Sequence, residues 1–179
     1  MNSSPETPDM PTCEYEQNIL ILRGLPIFDG MPVETLKALA YFCKRLKYKA
    51  GDYVFHQGDE DEQAYYIVAG RLELLRRDAE EGPDAKDVVL GAFGPERLFG
   101  SLALMAEVKR LFSLRALEPT TLLVLPRKQF LTNMRDNPDF ARKFMKTLTR
   151  QITKWEENTF LKGSCTAERS LANVGVSLI

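Results

Sequence analysis

The chain carries one histidine, one tryptophan and three cysteines in 179 residues, and this scarcity removes whole classes of chemistry. A lone histidine, His56, cannot supply the cluster of imidazoles on which a metal-dependent β-roll enzyme relies. No metal site is therefore expected, and no enzyme activity. Cys13, Cys43 and Cys165 are odd in number and show no C-x-x-C spacing, which argues against a disulfide framework or a zinc site and suits a reducing compartment. No apolar run approaches the roughly 20 residues that a membrane helix needs. Met1 to Pro11 is polar and proline-containing, without the apolar region of a signal peptide. The formal net charge of −1 supplies no overall basicity for nucleic acid. A cytoplasmic protein with no membrane partner is the expectation.

What is present suits one compact domain, with 44% apolar residues. Residues 1–18 read as an unstructured leader, because Ser3, Ser4, Pro5, Pro8 and Pro11 bury little and break regular structure. A first helix follows Pro32, where Leu36, Leu39, Ala40 and Cys43 recur at helical spacing. From Leu46 to Leu125 short runs of Val, Ile, Tyr, Phe and Leu alternate with turn signals at Gly51-Asp52, Gly58-Asp59, Gly70, Gly82-Pro83 and Gly94-Pro95. Asp78 to Asp87 reads as an exposed hairpin loop. A short helix is expected over Arg127 to Met134. A longer one, opening at the N-cap pair Asn137-Pro138, is expected to end near Gly163. The resulting division is a domain over 19–136, a long helix over 137–163 and a tail over 164–179 in which a further helix could begin.

The most informative stretch is Leu98-Phe99-Gly100-Ser101-Leu102-Ala103-Leu104-Met105, followed by Lys109-Arg110. A glycine lets backbone approach a ligand closely. The leading N–H groups of a helical turn attract negative charge. An arginine presents a planar fork that matches phosphate or carboxylate. Together they form a plausible anion cradle.

This stretch resembles the phosphate-binding cassette of cyclic-nucleotide-binding domains, the sensor half of catabolite-activator and Fnr-type regulators. Phe99, Gly100, Leu102, Ala103 and Leu104 match the family's run, and Arg110 falls at its phosphate arginine. Ser101 stands where the family has a glutamate, and Leu111 and Phe112 stand where it has small residues. Gly51 to Asp59, Tyr66 to Leu72 and Arg115-Ala116 are similar to the rest of the family's roll. The resemblance implies a mainly β fold, a double-stranded β-helix of jelly-roll type, with an N-terminal helix, a cassette helix and two C-terminal helices. It also implies a ligand site at Phe99, Gly100, Ser101, Leu102, Ala103, Arg110 and Leu111, with cyclic nucleotide, cAMP or cGMP, as the ligand where the cassette works.

The departures shape the functional expectation. The family's glutamate binds a ribose hydroxyl, and loss of such a charge-assisted bond weakens binding by about 1.5–3 kcal/mol, roughly ten- to a hundredfold. Ser101 is expected simply to cap the turn after Gly100. A buried Arg110 needs a carboxylate or a ligand, and Glu107 is the near candidate. Leu111, Phe112 and Met105 are expected to crowd the roll. Arg142, Lys146, Arg150 and Lys154 form a basic stripe, read as a solvated face, or else as a partner for Glu60-Asp61-Glu62. Phe140, Phe144, Leu148, Ile152 and Trp155 form an apolar stripe, read as a homodimer seam, with packing inside the chain as the alternative. The expected function is a non-catalytic, ligand-sensing regulatory module with altered or lost cyclic-nucleotide affinity and a small anionic ligand. One alternative is the sensor half of a Crp/Fnr-type transcription regulator without its helix-turn-helix, since the residues after Gly163 are too few for a DNA-reading domain. The other is a dimerisation scaffold with a collapsed pocket.

Overall fold

A computed structural model describes residues 14–77 and 86–157. The order of elements is α1 (Glu14–Gly24), α2 (Val33–Phe42), eight strands, α3 (Arg127–Asp136) and α4 (Pro138–Glu156). The strands are β1 (Lys44–Tyr48), β2 (Tyr53–Phe55), β3 (Gln63–Ala69), β4 (Leu72–Arg76), β5 (Val88–Phe93), β6 (Leu98–Phe99), β7 (Ser113–Ala116) and β8 (Thr120–Pro126). Single 3-10 turns occupy Pro26–Phe28 and Leu102–Leu104.

The strands form two four-stranded antiparallel sheets, ordered β1-β8-β3-β6 and β2-β7-β4-β5. Side chains alternate between the faces of a strand, and β8 uses both. Leu122 and Val124 join Tyr65, Ile67 and Phe99 in a core shared with Phe55, Leu72, Leu74, Phe93 and Leu114 of the opposite sheet. Leu123 and Leu125 instead join Ala64 and Leu98 in a second core that the helices cover. The centre of the first sheet, β8 with β3, is thus buried on both faces, whereas the edge strand β1 is largely exposed, and this is why β8 reads as an unbroken apolar run.

The turns follow their residue types. Gly51 and Gly58 take φ of 91° and 90°, and Asp52 and Asp59 each accept a backbone N–H three residues back, from Lys49 and His56 at 2.7 Å. Gly70, at φ 91°, lies so close to β8 that a Cβ would sit 2.7 Å from the Pro119 carbonyl oxygen.

Several expectations need correction. Order does not begin near residue 19: α1 starts at Glu14 and buries Asn18 and Leu22, and polar Asn18 is held there by Arg45, whose Nε donates to its Oδ1 at 3.0 Å. The helix that follows Pro32 is α2 and not the first, since α1 precedes it, and Pro32 itself lies before the first helical residue with an extended ψ of 142°. Asn137 makes no side-chain cap for α4. Its amide donates backward to the Asn133 carbonyl at 3.1 Å, closing the end of α3. Most of the charged loop between β4 and β5, the end of the long helix near Lys162 and Gly163, the tail over 164–179 and the side chain of Trp155 lie outside the described residues.

Candidate functional site

Arg110 is 3% exposed, and the backbone around it explains how it is placed. Its N–H donates to the Asp59 carbonyl at 2.8 Å and its carbonyl accepts from Gly58 at 2.7 Å, while Lys109 bridges to Glu60. This pairing sets the Arg110 side chain beside Asp61, the next residue along the opposed segment. Nε donates to Asp61 Oδ2 at 2.9 Å, and Nη2 donates to Asp61 Oδ1 and, at 2.6 Å, to the Gln63 carbonyl. The guanidinium also lies over the rings of Phe55 at 4.3 Å and Tyr65 at 5.6 Å. Burial pushes the Tyr65 phenol far above its usual range, and the Asp61 carboxylate adds to that shift.

The third nitrogen is different. Arg110 Nη1 is buried and has no hydrogen-bond partner. It faces Gly100, where a Cβ would collide with the guanidinium and sit 2.9 Å from the Gln63 carbonyl. Gly100 has φ of 77°, so both its space and its backbone require glycine. The neighbouring Ser101 is 1% exposed, and its Oγ is also buried without a partner. A buried polar group without a partner costs free energy that a hydrogen-bonding ligand can recover. Two such groups at adjoining positions, one cationic and one able to donate or accept, suit an anion or its ester oxygen.

Phe99, Ala103 and Leu104 are fully buried, and Leu102 is intermediate. Leu111 is 66% exposed and does not crowd the interior, and Met105 packs on the helical side. Phe112 does pack against the core between the sheets. Ser101 does not cap the turn, because its side chain makes no capping hydrogen bond. Glu107 does not pair with Arg110; Asp61 does.

The acidic triplet does not meet the basic stripe of α4. Glu60 pairs with Lys109, Asp61 with Arg110 and Glu62 with Arg127. Arg142, Lys146, Arg150 and Lys154 are exposed, as a solvated face requires, and among the described residues Arg142 pairs only with Asp139 one turn away. Phe140 and Phe144 are each 1% exposed inside the chain's own core, so these two belong to intramolecular packing rather than to a seam between copies. Leu148 packs at the edge of that core, and Ile152 is 38% exposed. His56 stacks on Tyr53, with ring centroids 4.2 Å apart, and among the described residues no cluster of His, Cys, Asp and Glu could hold a metal ion.

Sequence reasoning missed Asp61 as the partner of Arg110, and it missed Arg127. The triplet Glu60-Asp61-Glu62 was a visible signal, but its partners depend on how residues 58–60 align with 109–110, which spacing along one chain does not reveal.

Comparison with known proteins agrees with this fold. Residues 45–137 match the family described as the cyclic nucleotide-binding domain. The Cyclic AMP receptor protein of Thermus thermophilus is 34% identical over 132 residues, 73% of this chain and 59% of that protein. Lysophospholipase NTE1 of Pyricularia oryzae is 31% identical over 61% of this chain but only 7% of its own length. The chain therefore spans little more than half of the first relative and a small part of the second. The structure of a cyclic nucleotide-binding-like protein from Brucella abortus superposes with a TM-score of 0.59 at 28% identity, covering 66% of this chain and 98% of that one. No helix among the described residues is long and apolar enough to cross a membrane.

Proposed function

The chain belongs to the cyclic nucleotide-binding domain family, and on that premise we propose that it is a non-catalytic sensing module whose anionic ligand meets Arg110, Gly100 and Ser101. The observation that carries this reading is the pair of buried, unpartnered polar atoms, Arg110 Nη1 and Ser101 Oγ, beside a glycine that only a bare Cα can occupy. A cyclic phosphate supplies acceptor oxygens for the guanidinium. Ser101 supplies one neutral hydroxyl where the family's glutamate supplies a carboxylate. Cyclic nucleotides then bind roughly ten- to a hundredfold more weakly than they would to the same site with glutamate.

Calorimetric titration with cAMP, cGMP and inorganic phosphate tests this reading. Weak binding that Arg110→Met abolishes supports it. Ser101→Glu should tighten the cyclic nucleotides by roughly ten- to a hundredfold and leave phosphate unimproved. No heat with any of the three, in the unchanged chain and in Ser101→Glu alike, sinks it.

Asp61 and the aromatic filling between the sheets support a second reading, a scaffold whose pocket is closed. Asp61 already neutralises Arg110, and Phe55, Tyr65, Phe93 and Phe99 are buried in the space between the sheets, with Phe112 packed against them. In that case the same titrations stay silent while the fold keeps its stability. In either reading the folded unit takes in α1 and the buried start of α4 together with the roll. The exposed end of the long helix, from Leu148 through Ile152, is the proposed seam with a second copy. A Mycobacterium tuberculosis relative, 23% identical over 77% of this chain and 60% of its own length, is named a CRP-like cAMP-activated global transcriptional regulator, which makes transcription regulation the natural setting, with the chain as the sensing half.

A further inference from the structure

The geometry points to Arg127 as a positioning residue that fixes the cassette turn in shape and ties it to α3. The inference rests on the reading that an anionic ligand meets Arg110. Arg127 is 7% exposed, and a buried guanidinium persists only where its donors are satisfied. Nε donates to the Ala103 carbonyl, Nη2 to the Ala106 carbonyl at 2.6 Å, and Nη1 to Glu62 Oε1 at 3.1 Å.

These are the acceptors that the turn cannot use for itself. The carbonyls of Gly100, Ser101 and Leu102 accept from Ala103, Leu104 and Met105. The end of a helical turn leaves its last carbonyls orphaned, and here Arg127 takes those of Ala103 and Ala106. The planar fork reaches both at once, which a single ammonium at the end of a lysine stem does not.

The other end of the connection is equally direct. The backbone N–H of Arg127 donates to the Glu62 carbonyl at 2.8 Å, so Glu62 is bound through both main chain and side chain. Glu62 follows Asp61, which holds Arg110. Adjacent carboxylates thus grip one arginine on each side of the cassette. An anion that draws Arg110 from Asp61 disturbs Asp61-Glu62, and through Arg127 it disturbs the first residue of α3. Helix α4 follows, because Phe140 and Phe144 pack on Phe130 of α3 at ring-centroid distances of 6.2 and 5.0 Å.

Amide hydrogen exchange on the unchanged chain, Arg127→Met and Arg127→Lys tests this in two arms. Without ligand, Leu104, Met105 and Ala106 should exchange at least about tenfold faster in Arg127→Met, with β3 and β8 unchanged and Arg127→Lys in between. With cAMP, Arg127→Met should still bind by calorimetry within about tenfold of the unchanged chain, yet lose the exchange response along residues 139–154 that cAMP produces in the unchanged chain. Arg127→Lys should restore part of that response, and it carries both arms if the methionine variant does not fold. Unaltered cassette exchange without ligand, or a full response of residues 139–154 in Arg127→Met, overturns the inference. If neither the unchanged chain nor Ser101→Glu binds cAMP, cGMP or phosphate, the reading of the Arg110 site falls, and the ligand-free arm alone decides the role of Arg127.

Discussion

Asp61 and Arg110 are unequal partners, and the inequality decides what each substitution does. The Arg110 side chain is 2% exposed, whereas that of Asp61 is 21% exposed. Removing the carboxylate strands a buried cation, which costs about 3–5 kcal/mol. Replacing the cation by an apolar group of similar size strands only a carboxylate that water can reach. Asp61→Asn should therefore lower stability in urea more than Arg110→Met does, and phosphate should restore part of the loss in Asp61→Asn alone. Equal losses in the two variants contradict the account. Gly100→Ala should cost at least about 1–2 kcal/mol from its left-handed backbone, with an added penalty because the new methyl meets Arg110. At this scale the sequence was half legible. Gly100 and Arg110 stood out by type and spacing. Asp61 did not, because an ion pair across 49 positions is made by strand alignment and not by neighbourhood.

Elements were more legible than contacts. The short apolar runs between turn residues and the four-residue recurrence of Phe140, Phe144 and Leu148 follow from strand and helix geometry, so they survive without knowledge of the fold. What the stripe packs against is not such a property, and the structure divides it. Phe130, Phe140 and Phe144 form one aromatic cluster with Phe28, so Phe130→Ala should cost about 3–5 kcal/mol, read as a lowered denaturant midpoint. On the same helix the apolar positions Met145 and Ile152 are 50% and 38% exposed. Ile152→Asp should leave that midpoint within about 0.5 kcal/mol and shift the chain toward monomer in sedimentation equilibrium. A dimer of unchanged strength would show that α4 is not the seam. Helix α1 was illegible for a physical reason: its sequence lacks a strong apolar face, and its place depends on Leu22 and on the Asn18–Arg45 bond.

For the molecule as a whole, the buried acids set the response to alkali. Burial pushes the Cys43 thiol from 9.0 up to about 12, and it raises the phenols of Tyr48, Tyr65 and Tyr66 as well. Each group loses its proton more readily in the unfolded chain, so the unfolded state binds fewer protons above the ordinary thiol and phenol range. Stability is then intact below about pH 9 and falls as the pH rises from there toward 12. Melting temperatures at pH 8, 9, 10 and 10.5 should decline with growing steepness, and Cys43→Ala should blunt the first part of the decline. A flat profile to pH 10.5 would contradict the burial of these groups. The mainly β architecture was legible because its turn residues mark the ends of strands, whereas the double burial of one sheet is a property of layers that no single segment carries. Helix α4 has a mechanical consequence as well. It is fastened to the body through Phe140, Phe144 and the edge contact of Leu148, which makes it a cantilever. From Leu148 to Glu156 it extends about 12 Å at 1.5 Å per residue, so a tilt of roughly 10° at the root swings Glu156 by about 2 Å. A sub-ångström adjustment beside Arg127 is thereby magnified into a displacement large enough to make or break a contact at the tip.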